Sequence, residues 1–199
     1  DIALALMAKA KDQNIPISFD LNYRESLWKS FQDAREQLSK LVSLADVCIG
    51  IEPVSIVSER GTDLKDDLGL SRPYKDRDAL LMVLKAMVDQ YDLKYIAFTE
   101  REIGATNEYL LKAYLYDGQD EKLYETDRES IQVLDRVGTG DAFTAGIIYG
   151  LIENASVKET LELGMASFKF KHTIEGDINI VTKKDITQFM TKGDLDIKR

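Results

Sequence analysis

Apolar positions recur along this chain either at helical spacing or in short unbroken runs, and the two patterns alternate. Ile2, Leu4, Leu6 and Met7 predict one face of a helix ending before Asn14-Ile15-Pro16, and IPISFD predicts a short buried strand that ends at Asp20. SLWKSFQDAREQLSKLVSLA places Leu27, Phe31, Leu38, Leu41 and Val42 on a second helical face, and DVCIG predicts the next strand. EPVSIVSER is expected to be helical with Pro53 in its first turn, and the polar GTDLKDDLGLSRP to be a loop. Residues 76–90 predict a helix with Leu80, Leu81, Leu84, Met87 and Val88 inward, and KYIAFT predicts a strand.

The period then changes. EYLLKAYLYDGQDEKLYET alternates every second residue around Asp117-Gly118, which predicts a hairpin, and IQVLD predicts a last short strand. Helical patterns follow over 141–153, 157–171 and 184–190. Buried strands separated by helices need crossover connections. The expected fold is therefore α/β and doubly wound, a mostly parallel sheet with helices on both faces and a β-hairpin edge. In such sheets ligands bind beyond the carboxyl ends of the strands. Three stretches fall there: Asp20 to Arg24, Thr99 to Gly104, and Asp135 to Asp141.

Composition narrows the class. A chain of 199 residues with 44% hydrophobic and 31% charged residues is expected to form one globular domain, 1–199. Its formal net charge of -9, with basic residues scattered, argues against a nucleic-acid partner. One cysteine, Cys48, excludes a disulfide framework and fits a cytoplasmic setting. No run of about 18 apolar residues is present, so no membrane span is expected. The chain opens on DIALALMAKAKDQ, inside a helical pattern and without an initiator Met, which leads us to expect a piece of something longer.

DRVGTGDAF, residues 135–143, sits between a strand pattern and a helix pattern. Gly138 and Gly140 bring bare backbone close to a ligand, and the amides of Thr139, Gly140 and Asp141 point out of a first helical turn. With the positive end of the helix dipole, these groups form an anion cradle. Asp141 is then a carboxylate placed to take a proton from an attacking hydroxyl. The plainer alternative is a capping aspartate.

DRVGTGDAFTAGIIYGL resembles the signature of the ribokinase-like sugar kinases: Asp, two variable residues, Gly, a small residue, Gly, Asp, then a helix. The resemblance implies that Asp141 is the catalytic base and that Gly138, Thr139 and Gly140 form the anion hole. It associates Asp135 with a monovalent-cation site. FDLNYRESLW and KHTIEGDINIVTKKDI are similar to segments of 2-keto-3-deoxygluconate kinases, which implies a sugar-acid substrate, ATP and Mg2+. A carboxylate substrate calls for a guanidinium, so Arg24 is the candidate anchor, with Asp20 and Asn22 on substrate hydroxyls. The alternatives are a surface salt bridge of Arg24 with Glu25 and helix capping by Asp20 or Asn22. FTEREIG occupies the place of the family's nucleotide loop, which nominates Thr99, Arg101 and Gly104 for ATP. His172 lies in the segment that borders adenine in relatives, although a surface position at a helix end is the plainer expectation.

Two departures stand against the resemblance. Ile51 and Val54 occupy the positions of an Asn-x-x-Glu element that organises magnesium-bound phosphate in the family, and Glu52 is its only local substitute. The segment that holds the first strands and the lid in relatives is not matched, so the chain alone is expected to be poorly active. Rival readings are a fructokinase or nucleoside kinase of the same family, or a non-catalytic sugar- or nucleotide-binding module. A dehydrogenase of the G-x-G-x-x-G type fits poorly, because that motif is missing near the first strand. Self-association of the full-length protein is left open.

Overall fold

The computed structural model describes residues 2–104 and 108–192. The elements in chain order are α1 (Ile2–Asp12), β1 (Ser18–Asp20), a 3-10 turn (Glu25–Leu27), α2 (Phe31–Val42), β2 (Val47–Ile49), α3 (Leu64–Leu68) and α4 (Arg77–Tyr91). There follow β3 (Tyr95–Ile103), β4 (Glu108–Asp117), β5 (Lys122–Glu125), β6 (Glu129–Gln132), α5 (Thr139–Ile152), α6 (Val157–Lys171) and α7 (Lys183–Lys192). The chain forms two compact units, Asp1–Phe98 with Leu115–Leu123, and Thr99–Tyr114 with Tyr124–Arg199. The strand order is β1-β2-β3-β4-β5, with β6 on β4.

In the first unit β1 and β2 pair in parallel, as do β2 and the start of β3, with Phe19 opposite Cys48 and Cys48 opposite Ile96. All three residues of β2 are buried, as expected of a strand covered on both faces. Neighbouring strands β4 and β5 are separated by only four positions and so run antiparallel. The sheet is thus mixed, with the expected parallel part and hairpin.

Caps explain where the helices of this unit begin. Ser30 accepts a hydrogen bond from the Asp33 N–H and Asp76 from that of Ala79, each at the head of its helix. Because α2 starts only after Ser30, Leu27 and Phe31 are exposed rather than inward, while Leu38 and Val42 are buried as expected. In α1 only Met7 is buried, and Ile2 and Leu6 lie open. In α4, Leu80, Leu84 and Met87 are fully buried.

The segment after β2 corrects the expected helix over EPVSIVSER. Ile51, Val54 and Ile56 are all fully buried, a spacing that no single helical face supplies in so short a run. Side chains claim its backbone instead. Ser39 Oγ accepts from the Ser55 N–H at 3.0 Å, Asp63 from that of Ile56 at 3.2 Å, and Gln90 from that of Val57 at 2.8 Å. The carbonyl of Val54 accepts from buried Lys65, and that of Ser55 from Tyr91 and Gln90. Nor is GTDLKDDLGLSRP all loop: Asp63 caps α3, and Gly69 closes it in the left-handed region at φ 61°.

In the second unit β6 pairs antiparallel with β4, Tyr109 opposite Ile131. It lies over 129–132, earlier than IQVLD suggests. Helices α5 and α6 approach closely through small residues. A Cβ on Gly146 would meet the Leu163 carbonyl oxygen at 2.7 Å and the Gly164 Cα at 2.8 Å, and one on Gly150 would meet the Thr160 side chain at 2.7 Å. Phe170 of α6 stacks edge-on against Phe189 of α7 at 5.4 Å.

This contact is testable. Gly146→Ala is expected to lower stability by about 1–3 kcal/mol, since backbone rather than a movable side chain opposes the new methyl. Gly140→Ala, with nothing within 4 Å of its Cβ, is expected to stay within about 0.5 kcal/mol of the parent. Urea midpoints at unchanged slope would measure both.

Candidate functional site

The best-defined site lies in the second unit, where the turn before α5 carries the GTGD residues. Two hydrogen bonds fix its entry: the Leu134 and Asp135 N–H groups donate to the His172 carbonyl at 2.9 and 3.3 Å. Asp135 then organises the turn. Its Oδ1 accepts from the N–H groups of Arg136 at 2.6 Å and Val137 at 3.0 Å, and its Oδ2 from that of Gly176 at 2.7 Å. These donors, Val137 foremost, hold its carboxyl below the usual carboxylate range.

Gly138 stands at the N-cap of α5 with φ 72°, in the left-handed region where glycine is favoured. A Cβ there would also meet Asp177 at 2.9 Å. Thr139 is buried, its hydroxyl donates to the Arg136 carbonyl at 3.0 Å, and its N–H leans toward the same oxygen at 3.4 Å. The Thr139 amide is therefore partly engaged, contrary to expectation. The first helical amide bond is made by Ala142, to Gly138 at 2.9 Å. Among the described residues no acceptor meets the N–H groups of Gly140 or Asp141, the usual state of a first helical turn. Both residues are exposed, and the space over Gly140 is open. The result is two unclaimed donors and one exposed carboxylate at the positive end of a fourteen-residue helix.

His172 corrects the expectation of a surface position. It ends α6, but it is fully buried, between Phe168 with ring centres 4.7 Å apart and Tyr109 at 6.4 Å. Nδ1 lies 2.7 Å from the Phe168 carbonyl oxygen, which can only accept, so Nδ1 carries the proton. Nε2 is buried with no hydrogen-bond partner among the described residues. Burial pushes the imidazole down to about 4, and the nearby charges of Arg101, Lys171 and Arg136 add to the effect.

Arg101 lies over the rings of Tyr109 and Phe168 at 5.7 and 5.8 Å. It stands on β3, which runs on to Ile103. The expected strand-end loop over Thr99 to Gly104 is therefore strand up to its final glycine. Gly104 closes the strand, its N–H donating to the Glu108 carbonyl at 2.8 Å. Interior strand residues are also charged: Glu100 is buried and accepts from the Tyr114 hydroxyl at 2.9 Å and Arg128 at 3.3 Å.

Asp20, Asn22 and Arg24 belong to the first unit. Asp20 accepts from the Asn22 N–H at 2.9 Å, an Asx turn, while Asn22 takes φ 35°. Neither caps a helix, since the flanking 3-10 turn has no side-chain cap and Ser30 caps α2. Arg24 is exposed and, among the described residues, forms no ion pair, so the expected alternative of a bridge to Glu25 is not formed. Glu52 is turned to buried Lys65 at 3.1 Å, and burial holds its carboxyl above the usual range. No group of three or more His, Cys, Asp or Glu side chains among the described residues could hold a metal ion.

Sequence reasoning missed Lys171. Gly164, Phe168 and Lys171 lie at i, i+4 and i+7 on α6, so helical spacing alone sets this lysine on a buried face.

These shifts predict the acid response. Unfolded, the His172 side chain titrates near 6.5 and binds a proton that the folded form refuses down to about 4. Stability is therefore expected to fall as pH drops from about 6.5 to 4, and His172→Phe to flatten that part of the curve. Asp135, lowered in the fold, contributes stability above its ordinary value of 3.8 that is lost on further acidification. Asp135→Ala is expected to remove that second fall. Denaturant midpoints read at half-unit pH steps would show both changes.

Residues 112–183 match the pfkB family carbohydrate kinase pattern. Over 194 residues the chain is 29% identical to a 2-dehydro-3-deoxygalactonokinase of Haloferax volcanii, covering 98% of this chain and 53% of that protein. It is 28% identical to a 5-dehydro-2-deoxygluconokinase of Clostridium tetani, covering 84% and 43%. A crystal structure from Enterococcus faecalis, provisionally assigned as a 2-keto-3-deoxygluconate kinase, superposes with a TM-score of 0.80 at 28% identity, over 98% of this chain and 55% of its own. The chain thus spans about half the length of the relatives it matches. By this sequence match and by the fold it shares, the chain is similar to the pfkB family carbohydrate kinases.

Proposed function

We propose that the protein in its full length transfers the terminal phosphoryl group of ATP to the primary hydroxyl of a sugar acid, with 2-keto-3-deoxygluconate as the substrate. The observation that carries this reading is the start of α5, where exposed Asp141 adjoins two amides without acceptors and open space over Gly140. Phosphoryl transfer asks a protein mainly for positioning and for stabilisation of developing charge. The N–H groups of Gly140 and Asp141, with the helix dipole, favour the transferring group. The Asp141 carboxylate receives the proton of the attacking hydroxyl.

Magnesium arriving with ATP is held largely by phosphate oxygens and water, and the described residues assemble no carboxylate cluster to cage it. A sugar acid is favoured over a neutral sugar by the names of the relatives, which act on dehydro-deoxy sugars and sugar acids, and by Arg24, an exposed guanidinium available to pair with a carboxylate. Arg101 and Thr99 on β3 are assigned to the nucleotide side.

The test is ADP release by the full-length protein with 2-keto-3-deoxygluconate beside fructose, ribose and gluconate. Turnover on the keto acid is expected; strong turnover on fructose with none on the keto acid would defeat the substrate assignment. Asp141→Asn should lower kcat by about 10²–10⁴-fold with nucleotide binding retained. Arg24→Met should raise KM for the keto acid by roughly 10–100-fold, as expected on losing a charge-assisted pair.

A further inference from the structure

Lys171, the last residue of α6, is fully buried. An ammonium taken out of water is costly unless oxygen atoms replace its hydration. Here two backbone carbonyls do so: Nζ donates to the Ile174 oxygen at 3.1 Å and to the Gly176 oxygen at 2.6 Å. The same glycine faces the opposite charge on its other side, its N–H donating to Asp135 Oδ2 at 2.7 Å. One peptide unit on each side of Gly176 is thus held between a buried cation and the carboxylate that shapes the turn before α5. The Lys171 stem also reaches the turn itself, its Cε lying 3.4 Å from where a Cβ on Gly138 would stand.

Carbonyl oxygens beside a carboxylate are the donors a monovalent cation takes when it sheds its water. The sequence resemblance ties Asp135 to such an ion, but the residues present do not fit one. Both Asp135 oxygens already accept N–H groups, three in all, and a unit positive charge already sits on the neighbouring carbonyls.

We propose that the Lys171 ammonium is a resident cation that takes the place of a diffusible monovalent ion, holding the 174–176 loop and through Asp135 the turn that presents Gly138 to Asp141. Lys171 is a positioning residue, with no contact to substrate required. Because this ammonium is tethered to α6 and held by two carbonyls, the turn stays formed whatever salt surrounds the protein.

The experiment compares thermal midpoints of the full-length protein in potassium, sodium, ammonium and choline chloride at equal ionic strength. The parent is expected to melt alike in all four. Lys171→Ala is expected to melt roughly 5–15 °C lower in choline and to recover part of that loss, saturably, in potassium or ammonium. A saturable rise of the parent's midpoint in potassium over choline would overturn the proposal. So would a Lys171→Ala protein as stable as the parent in every salt. If that variant does not fold, the four-salt comparison of the parent still decides. A second arm, cation-independent turnover of the parent, rests on the proposed kinase reading; absence of turnover in every salt would defeat that reading while leaving the melting result to judge Lys171.

Discussion

The contact of α5 with α6 at Gly146 and Gly164 is the constraint on which the candidate site depends. The α6 backbone lies closest to Gly146, and the Ile147 and Phe143 side chains of α5 fill the space over Gly164, so α5 can slide or rotate little against its neighbour. Fixing the helix fixes where it starts, and its start is the candidate site. Phe143, Ile147 and the glycines bury one side of α5 while Gly140 and Asp141 remain exposed at its head. The turn before them is then clamped from the other end of α6, where the His172 carbonyl takes two N–H groups and Lys171 anchors the following loop. One helix pair thus both carries the candidate base and sets its surroundings.

Basic side chains gather around His172 in a chain that is acidic overall. The chain carries a formal net charge of -9, yet Arg101, Arg136 and Lys171 all lie close enough to His172 to disfavour its protonation. Three basic side chains thus lie near the turn before α5, beside the carboxylates of Asp135, Asp141 and Asp177, a grouping that overall composition conceals. Such local fields, more than net charge, decide which small ligands a surface attracts. A negative surface elsewhere is compatible with phosphate chemistry here.

Where apolar periodicity is long and capped, the sequence was legible. Helix α6 begins and ends at the expected residues because Ser156 and Glu159 form a reciprocal capping box at its head. The GTGD turn was legible too, since glycine at φ 72° leaves a compositional trace. What was not legible depends on partners distant in the chain. Residues 52–60 read as a helix because the side chains that claim the backbone of 55–57, those of Ser39, Asp63 and Gln90, lie elsewhere in sequence. His172 read as a surface residue because polar side chains usually are, and only three-dimensional packing shows that the Phe168 carbonyl and two aromatic rings enclose it. The strand character of Glu100 to Ile103 was hidden by Glu100, whose buried charge is matched by Tyr114 and Arg128.

Ile51 and Val54 carry a consequence for how this lineage can change. Both are core residues, fully enclosed, at the positions where the resemblance expects an amide and a carboxylate. Reintroducing those groups would bury polar atoms among hydrocarbon, at about 2–7 kcal/mol for the amide if left unpaired and more for a charge. Such a cost is a large fraction of the stability of an ordinary domain. Apolar packing at these two positions thus leaves any phosphate-organising role to other parts of the protein.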